Sequence, residues 1–116
     1  MTDRAHELSE AVISVSRDFS PYPAGRYRKD GPFSGEAFRE DVLVPTLQKA
    51  GSVVVNIDGV AGLPSSFWEE VFGGLVRRHA MAVDFIRDHI RVLTTDKSLA
   101  PFVRLAYKFA DEASHK

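Results

Sequence analysis

The stretch Val53-Val54-Val55-Asn56-Ile57 decides the fold class of this chain. Its apolar residues are all β-branched, which predicts a strand. A nearly continuous apolar run is typical of a central parallel strand that is covered on both faces. Asp58-Gly59 then signals a turn. We therefore expect residues 53–57 to form the middle of a sheet, with Val54 in the core.

Strand-like and helical segments alternate on either side of this strand. Short β-branched runs predict strands, and apolar residues spaced three and four apart predict helices. The segments are a strand at 11–16, a helix at 34–50, a helix at 66–79, a third strand at 90–94 and a last helix at 98–113. This order predicts a small α/β domain in which helices pack on a mostly parallel or mixed sheet. A single domain is expected over residues 1–116, with its core at 11–113.

Several residues have local structural roles in this scheme. Ser34 and Ser98 are expected to cap the helices that follow them. Pro45 is expected to kink its helix, because proline has no backbone N–H to donate. Gly73-Gly74 lies inside a helix and indicates close packing of that helix on the sheet. Besides Val54, the expected core side chains are Trp68, Leu75, Leu105 and Phe109.

Composition excludes several classes of function. The chain has 15 basic and 16 acidic residues and a net charge of -1, so we expect no nucleic-acid partner and no membrane partner. The absence of cysteine excludes disulfides and cysteine-ligated zinc. No apolar run approaches the ~20 residues of a membrane span, and Met1 to His6 lacks the apolar run of a signal peptide. These features predict a cytoplasmic protein.

A long aromatic and basic loop is predicted at residues 17–32, between the first strand and the first helix. Loops of this length inside compact domains are usually functional or mobile. Arg26 and Tyr27 in this loop are candidates for contact with a partner protein or a phosphate group. The alternative for Arg26 is a structural role, in which it binds backbone carbonyls or stacks on the aromatic rings of the loop.

The segment from Asp58 to Ser66 joins the central strand to the next helix. Open α/β sheets bind ligands at the carboxyl ends of parallel strands, and a helix N-terminus stabilises negative charge. Ser65 and Ser66 at that N-terminus are therefore candidate phosphoacceptors. Asp58 and Phe67 beside them are candidate partner contacts. The alternative for Ser66 is a capping box, in which Ser66 caps the helix and Glu69 reaches back to the Ser66 N–H.

Residues 56–67, Asn-Ile-Asp-Gly-Val-Ala-Gly-Leu-Pro-Ser-Ser-Phe, resemble the signature of STAS domains, the fold of bacterial anti-sigma factor antagonists. In that signature a strand runs into an Asp-Leu-Ser-Gly-Val-like turn and then into an Asp-Ser-Ser-Gly-like start of a helix. The chain as a whole is similar to an uncharacterised STAS-like bacterial family over about residues 11–113. The shared features are Gly25-Arg26, Ser34-Gly35-Glu36, and the block from Asp58-Gly59-Val60 to Phe72-Gly73-Gly74-Leu75.

The resemblance implies a regulatory protein-interaction module of bacterial signalling. In phosphorylated STAS antagonists, a kinase of the histidine-kinase-like ATPase superfamily modifies a serine at the start of a helix. The modification controls binding to that kinase. Ser66 is the residue that matches this serine, so the resemblance implies such an ATPase as the partner and phosphorylation of Ser66 as the switch.

The residues leave two functions of other classes open. One is a phosphate- or nucleotide-binding module that uses the helix N-terminus at Ser65 and Ser66 together with Arg26. The other is a minimal hydrolase built on Ser66 and Asp58, for which no histidine is placed by sequence to complete the set. The four histidines are scattered along the chain, so no metal site is predicted. No cofactor and no enzymatic activity are expected.

Overall fold

Within residues 10–116, which the computed structural model describes, a three-stranded parallel sheet organises the chain. The strands are β1 (Ala11–Ser14), β2 (Val53–Asn56) and β3 (Ile90–Leu93), in the order β1-β2-β3. Both neighbouring pairs are parallel. The prediction of an α/β fold with residues 53–57 at the middle of the sheet is confirmed. The expectation for Met1 to His6 lies outside the described residues.

The described part of the chain has five α-helices, four between the strands and the last after β3. They are α1 (Gly35–Phe38), α2 (Val44–Ala50), α3 (Ser65–His79), α4 (Val83–His89) and α5 (Ala100–Ser114). A π-helical stretch, Arg39–Leu43, joins α1 to α2. Pro45 follows this stretch and cannot donate to a preceding carbonyl, so the disturbance expected at Pro45 takes the form of π-helical turns. None of the helices described is long and apolar enough to cross a membrane.

The helix caps follow the prediction in one case and depart from it in another. Ser34 Oγ accepts a hydrogen bond from the Ala37 N–H at 3.1 Å, so the predicted cap of α1 is confirmed. The predicted cap at Ser98 is wrong, because a 3-10 turn at Lys97–Leu99 precedes α5. Asp96 caps that turn by accepting hydrogen bonds from the N–H and the hydroxyl of Ser98.

The two faces of the sheet differ in burial. Ile13, Val55 and Val92 lie side by side on one face and are almost fully buried. On the opposite face Val12 is 65% exposed and Leu93 is 41% exposed. The prediction that β2 is covered on both faces is therefore wrong: in residues 10–116 the helices cover one face only.

Val54 shows why the apolar run at residues 53–57 wrongly predicted that helices cover both faces of β2. It lies on the open face, yet only 6% of it is exposed. Its neighbours in register are Val12 and Arg91, and Arg91 forms a 3.0 Å ion pair with Glu10. Within residues 10–116, side chains of the adjacent strands shield this central residue and no helix covers it. A run of apolar residues does not distinguish this shielding from burial under helices.

The core lies between the covered face of the sheet and the helices. Trp68 and Leu75 of α3 are fully buried, as predicted. Leu105 and Phe109 of α5 are only partly buried, because α5 packs mainly against α3 at the outside of the helical layer. Trp68 Nε1 donates to the Phe102 carbonyl at 2.8 Å and so ties α3 to α5.

Candidate functional site

The carboxyl ends of the three strands meet at one edge of the sheet, where hydrogen bonds tie their loops together. Asp58, which follows β2, accepts hydrogen bonds from the hydroxyls of Thr94 and Thr95 and from the Thr95 N–H. The hydrogen bond from Thr94, together with those from Thr95, holds the pKa of the Asp58 carboxyl below its ordinary value. Ser16, which follows β1, donates to the Asp58 carbonyl at 3.0 Å. Asp58 therefore connects the ends of all three strands.

A polar groove opens beside Asp58 on the face of the sheet without helices. Its volume is about 330 Å³ and its lining residues are Val12, Ser14, Ser16, Arg17, Asn56, Asp58 and Gly59. Gly59 has a φ of +92°, and a Cβ at this position would lie 2.7 Å from the Ser16 hydroxyl, so the turn requires glycine. The groove lies where open parallel sheets bind ligands, as the sequence analysis expected.

Helix α3 begins at Ser65, one residue earlier than predicted, and the predicted capping box is absent. Pro64 is the N-cap residue, and no side chain caps the helix. The Glu69 carboxylate binds arginines instead of reaching back to Ser66. The capping-box interpretation is therefore wrong. Ser65 and Ser66 lie exposed in the first turn of α3, and their modification stays a prediction.

Phe67 follows these serines but lies in the interior. It is fully buried, and its ring centroid is 6.1 Å from that of Phe38 and 6.2 Å from that of Phe19. The prediction that Phe67 contacts a partner is wrong, because the first turn of α3 directs this residue into the core. Phe19, from the predicted recognition loop, is held in the same aromatic cluster.

The loop at residues 17–32 brings an exposed aromatic ring towards the start of α3. The Pro21 carbonyl accepts a hydrogen bond from the Ala61 N–H at 2.7 Å, which joins the loop to the turn before α3. Tyr22, next to Pro21, is 72% exposed. We call the exposed residues of this region the edge surface: Tyr22, Ala61, Pro64, Ser65 and Ser66.

Arg26 forms ion pairs with α3. Its guanidinium binds the Glu69 carboxylate and lies 3.3 Å from a Glu70 oxygen. Arg77, further along α3, binds the same two carboxylates. The hydrogen bond from Arg26 to Glu69 raises the pKa of the guanidinium despite partial burial. These contacts give Arg26 a structural role, through carboxylates of α3 and not through the expected carbonyls or aromatic rings, while its contact with a partner stays a prediction.

A buried ion pair lies at the centre of these charges, and the sequence analysis missed it. Arg39 and Glu70 are each 2% exposed, and Arg39 Nη1 lies 2.8 Å from Glu70 Oε2 and 2.7 Å from the Glu70 carbonyl. Arg39 Nε also donates to Glu40, whose carboxylate lies 2.7 Å from His79 Nε2. Every buried side-chain nitrogen and oxygen in the described residues has a partner. We call these side chains the charge cluster: Arg26, Arg39, Glu40, Glu69, Glu70, Arg77 and His79.

Gly73 and Gly74 make room for the charge cluster on α3. A Cβ on Gly74 would overlap the Arg39 guanidinium, whereas a Cβ on Gly73 would meet only the ends of the Glu69 and Arg77 side chains. The prediction that this pair marks packing of the helix on the sheet is wrong, because its neighbours are charged side chains. A glycine pair inside a helix indicates that a bulky group packs closely against that part of the helix. The sequence alone does not identify this group.

Two carboxyls of the charge cluster titrate below their ordinary range. Burial raises the pKa of Glu69, but hydrogen bonds from Arg77 and Arg26 outweigh burial and leave it lowered. Burial likewise raises the pKa of Glu40, and hydrogen bonds from Arg39 and His79 outweigh it. Both groups therefore stay negatively charged throughout the neutral range.

Comparison with known proteins places these features in a family. A family described as a STAS-like domain of unknown function matches residues 34–100, more than half of the chain. The chain belongs to this STAS-like family. The resemblance predicted from residues 56–67 is thereby confirmed. Comparisons with curated proteins and with solved structures found no match.

The region matched to the STAS-like family holds two different parts of the molecule. It contains most of the charge cluster, from Arg39 to His79, and it contains the exposed Ser65 and Ser66. Arg26 and Tyr22 lie ahead of it in the sequence. The family match therefore spans both a buried structural network and an accessible surface.

The remaining site predictions for this STAS-like domain have not been tested. Asp58 is held by donors from Thr94 and Thr95, and Tyr27 is partly exposed with the Lys29 ammonium 6.0 Å from its ring centroid. Contact of Asp58 or Tyr27 with a partner stays a prediction. Among residues 10–116, no group of three or more histidine, aspartate and glutamate side chains is arranged to hold a metal ion.

Proposed function

We propose that this STAS-like domain is a regulatory module that binds a protein partner through the edge surface. STAS-like domains are typically regulatory modules without enzymatic activity. The observation that carries the proposal is the exposure of Ser65 and Ser66 at a helix start that no side chain caps. They lie exposed and uncapped at the start of α3, and a hydrogen bond from Ala61 to Pro21 joins the turn before this helix to the loop that carries the 72% exposed Tyr22. Aromatic residues such as tyrosine are enriched at protein–protein interfaces.

The proposal includes a phosphorylation switch at Ser66. Ser66 occupies the second position of a fifteen-residue helix, where the helix dipole stabilises negative charge. A phosphate there adds nearly two negative charges to the middle of the edge surface, which opposes contact with an apolar partner surface. The resemblance to phosphorylated STAS antagonists supports a histidine-kinase-like ATPase as both the modifying enzyme and the partner.

The alternative function, a phosphate or nucleotide site built from Ser65, Ser66 and Arg26, has less support. It requires the Arg26 charge to face a ligand. That charge is already balanced by Glu69 and Glu70, which hold the guanidinium against α3. A phosphate at this position would have to displace two carboxylates to reach Arg26.

Capture of a partner from the native cell tests the proposal. The tagged domain, its Ser66→Asp variant and its Gln48→Glu variant are each used as bait. Both substitutions add one negative charge, but Gln48 lies exposed near the end of α2, which leads into the start of β2, whereas the edge surface follows the end of that strand. We expect the parent and the Gln48→Glu variant to capture one protein equally. The Ser66→Asp variant should bind that protein about tenfold more weakly, which is the scale of a regulatory coupling.

Two results would count against the proposal. Equal capture of the same proteins by all three baits would remove the edge surface as the partner site. Mass spectrometry of the domain from its native cell adds a separate test of the switch, with phosphate expected on Ser66. Phosphate confined to other residues would refute the switch while leaving the interaction surface in place.

A further inference from the structure

A second groove lies between α4 and α5, on the side of β3. Its volume is about 390 Å³, and it is lined by Arg87, Arg104, Tyr107, Lys108 and Asp111. Three of these five lining residues are cationic and one is acidic. The domain as a whole is close to neutral, so this is a local concentration of positive charge.

Tyr107 provides a fixed floor for this groove. Its hydroxyl donates to the Ile90 carbonyl at 2.7 Å and accepts from the Val92 N–H at 3.2 Å. The Ile90 carbonyl and the Val92 N–H point away from β2, at the outer edge of β3. The two hydrogen bonds therefore anchor the Tyr107 side chain to the edge of the sheet. The Arg87 guanidinium lies over the Tyr107 ring, 5.6 Å from its centroid. The ring therefore holds one cation of the groove in place.

The cations of this groove differ from those of the charge cluster. Arg26, Arg39 and Arg77 are all ion-paired with carboxylates. Arg87, Arg104 and Lys108 are all exposed. Within the described residues, none of these three side chains forms a salt bridge with a carboxylate. Arg104 and Lys108 are four residues apart on α5, so like charges face each other along the helix. An anion between them would relieve that repulsion.

We propose that this groove binds the phosphate group of a phosphorylated small molecule. Two guanidinium forks and one ammonium suit the three acceptor oxygens of a phosphate monoester, which arginine binds through paired hydrogen bonds. Asp111, the single acid of the lining, accepts hydrogen bonds from hydroxyl groups of the ligand. The site is separate from the edge surface and does not use Ser66 or Arg26.

Titration of the full chain with phosphate compounds tests the site. Inorganic phosphate, pyrophosphate and AMP are added at constant ionic strength while amide chemical shifts are followed by NMR. We expect saturable shifts centred on Arg87, Tyr107 and Lys108. Tighter binding of AMP than of inorganic phosphate supports a phosphorylated small molecule as the ligand, and equal binding would overturn that choice in favour of the free anion.

Matched variants decide whether the groove is responsible. Arg104→Gln combined with Lys108→Gln should weaken binding at least tenfold, and both side chains are exposed, so the variant should melt like the parent. Lys49→Gln, which removes an exposed cation from α2, should bind unchanged. Shifts that do not saturate, binding that survives the double substitution, or an equal response to polyglutamate would each overturn the proposal.

Discussion

The charge cluster and the edge surface both include residues of α3, and they use their polar residues in opposite ways. In the charge cluster, Arg39 and Glu70 are buried against each other. At the edge surface, Ser65 and Ser66 lie at the start of α3, exposed and uncapped. Polar groups that are fully paired inside a protein stabilise one conformation, whereas unpaired exposed groups are available to other molecules. The first region holds the fold together, and the second is the surface that we propose for partner binding.

The residues that carry the family resemblance fall mostly on the structural side of this comparison. Gly74 leaves space for Arg39, and Arg26 pairs with the glutamates of α3. Gly35 lies so close to the Phe67 carbonyl that a larger residue would force α1 away from α3. A motif can therefore identify a family through its fold, and the residues that touch a partner have to be found by exposure.

The largest expected effect comes from breaking the buried pair. Arg39→Met should lower the free energy of unfolding by about 3–5 kcal/mol, because it leaves a buried Glu70 oxygen without its partner. Arg28→Met is the control, since it breaks the exposed pair of Arg28 with Asp41 and should leave the free energy of unfolding almost unchanged. Chemical denaturation measures both. Equal losses would show that the buried pair has no special role.

The two adjacent glycines of α3 should respond differently to the same substitution. Gly74→Ala should destabilise the domain by about 1–3 kcal/mol, because the added methyl displaces the enclosed Arg39 guanidinium. Gly73→Ala should be neutral or stabilising by up to about 1 kcal/mol, because its obstacles are flexible side-chain ends and alanine favours the helix. Thermal unfolding of the pair checks this. Similar melting temperatures would contradict the packing described for Arg39.

Acid should weaken the charge cluster. The pKa values of Glu69 and Glu40 are lower in the folded protein than their ordinary value of 4.5, so folding favours the charged forms. Their contribution is present above pH 4.5 and is lost as the pH falls through the folded-state values. Unfolding free energies measured from pH 6 to pH 3, about the range of carboxyl titration, should fall. Glu69→Gln should make that fall shallower, and an unchanged slope would refute the role of Glu69.

The smallest expected change in the free energy of unfolding comes from a substitution in the edge surface. Ser66→Ala should change the free energy of unfolding by less than about 0.5 kcal/mol, because Ser66 does not cap α3. Ser34→Ala is the matched control and should cost about 1 kcal/mol, because Ser34 does cap α1. Denaturation of both variants makes the comparison. A larger loss at Ser66 than at Ser34 would restore the capping role.

The sequence predicted the fold well because the fold depends on local periodicity. The apolar run at 53–57 and the helical spacing of residues 66–79 are visible without any tertiary contact. The prediction that β2 is covered on both faces failed, because shielding by Val12 and Arg91 depends on which strands are neighbours. Burial on each face is therefore a property of the assembled sheet.

The site was less predictable because its decisive contacts join distant parts of the chain. Arg39 and Glu70 are 31 residues apart, and no spacing rule links them. Phe67 lies in the core, where it packs with Phe19 and Phe38 from distant parts of the chain. The residue pattern of α3 alone does not show that these rings surround it.

The most direct measurement compares stability and partner capture for Arg26→Gln and Ser66→Asp, with each bait matched for folded protein. We predict that Arg26→Gln melts at a lower temperature and captures the partner as well as the parent does. We predict that Ser66→Asp melts at or slightly above the parent temperature and captures about tenfold less partner. Loss of capture in Arg26→Gln at an unchanged melting temperature, with normal capture by Ser66→Asp, would contradict the division between the charge cluster and the edge surface.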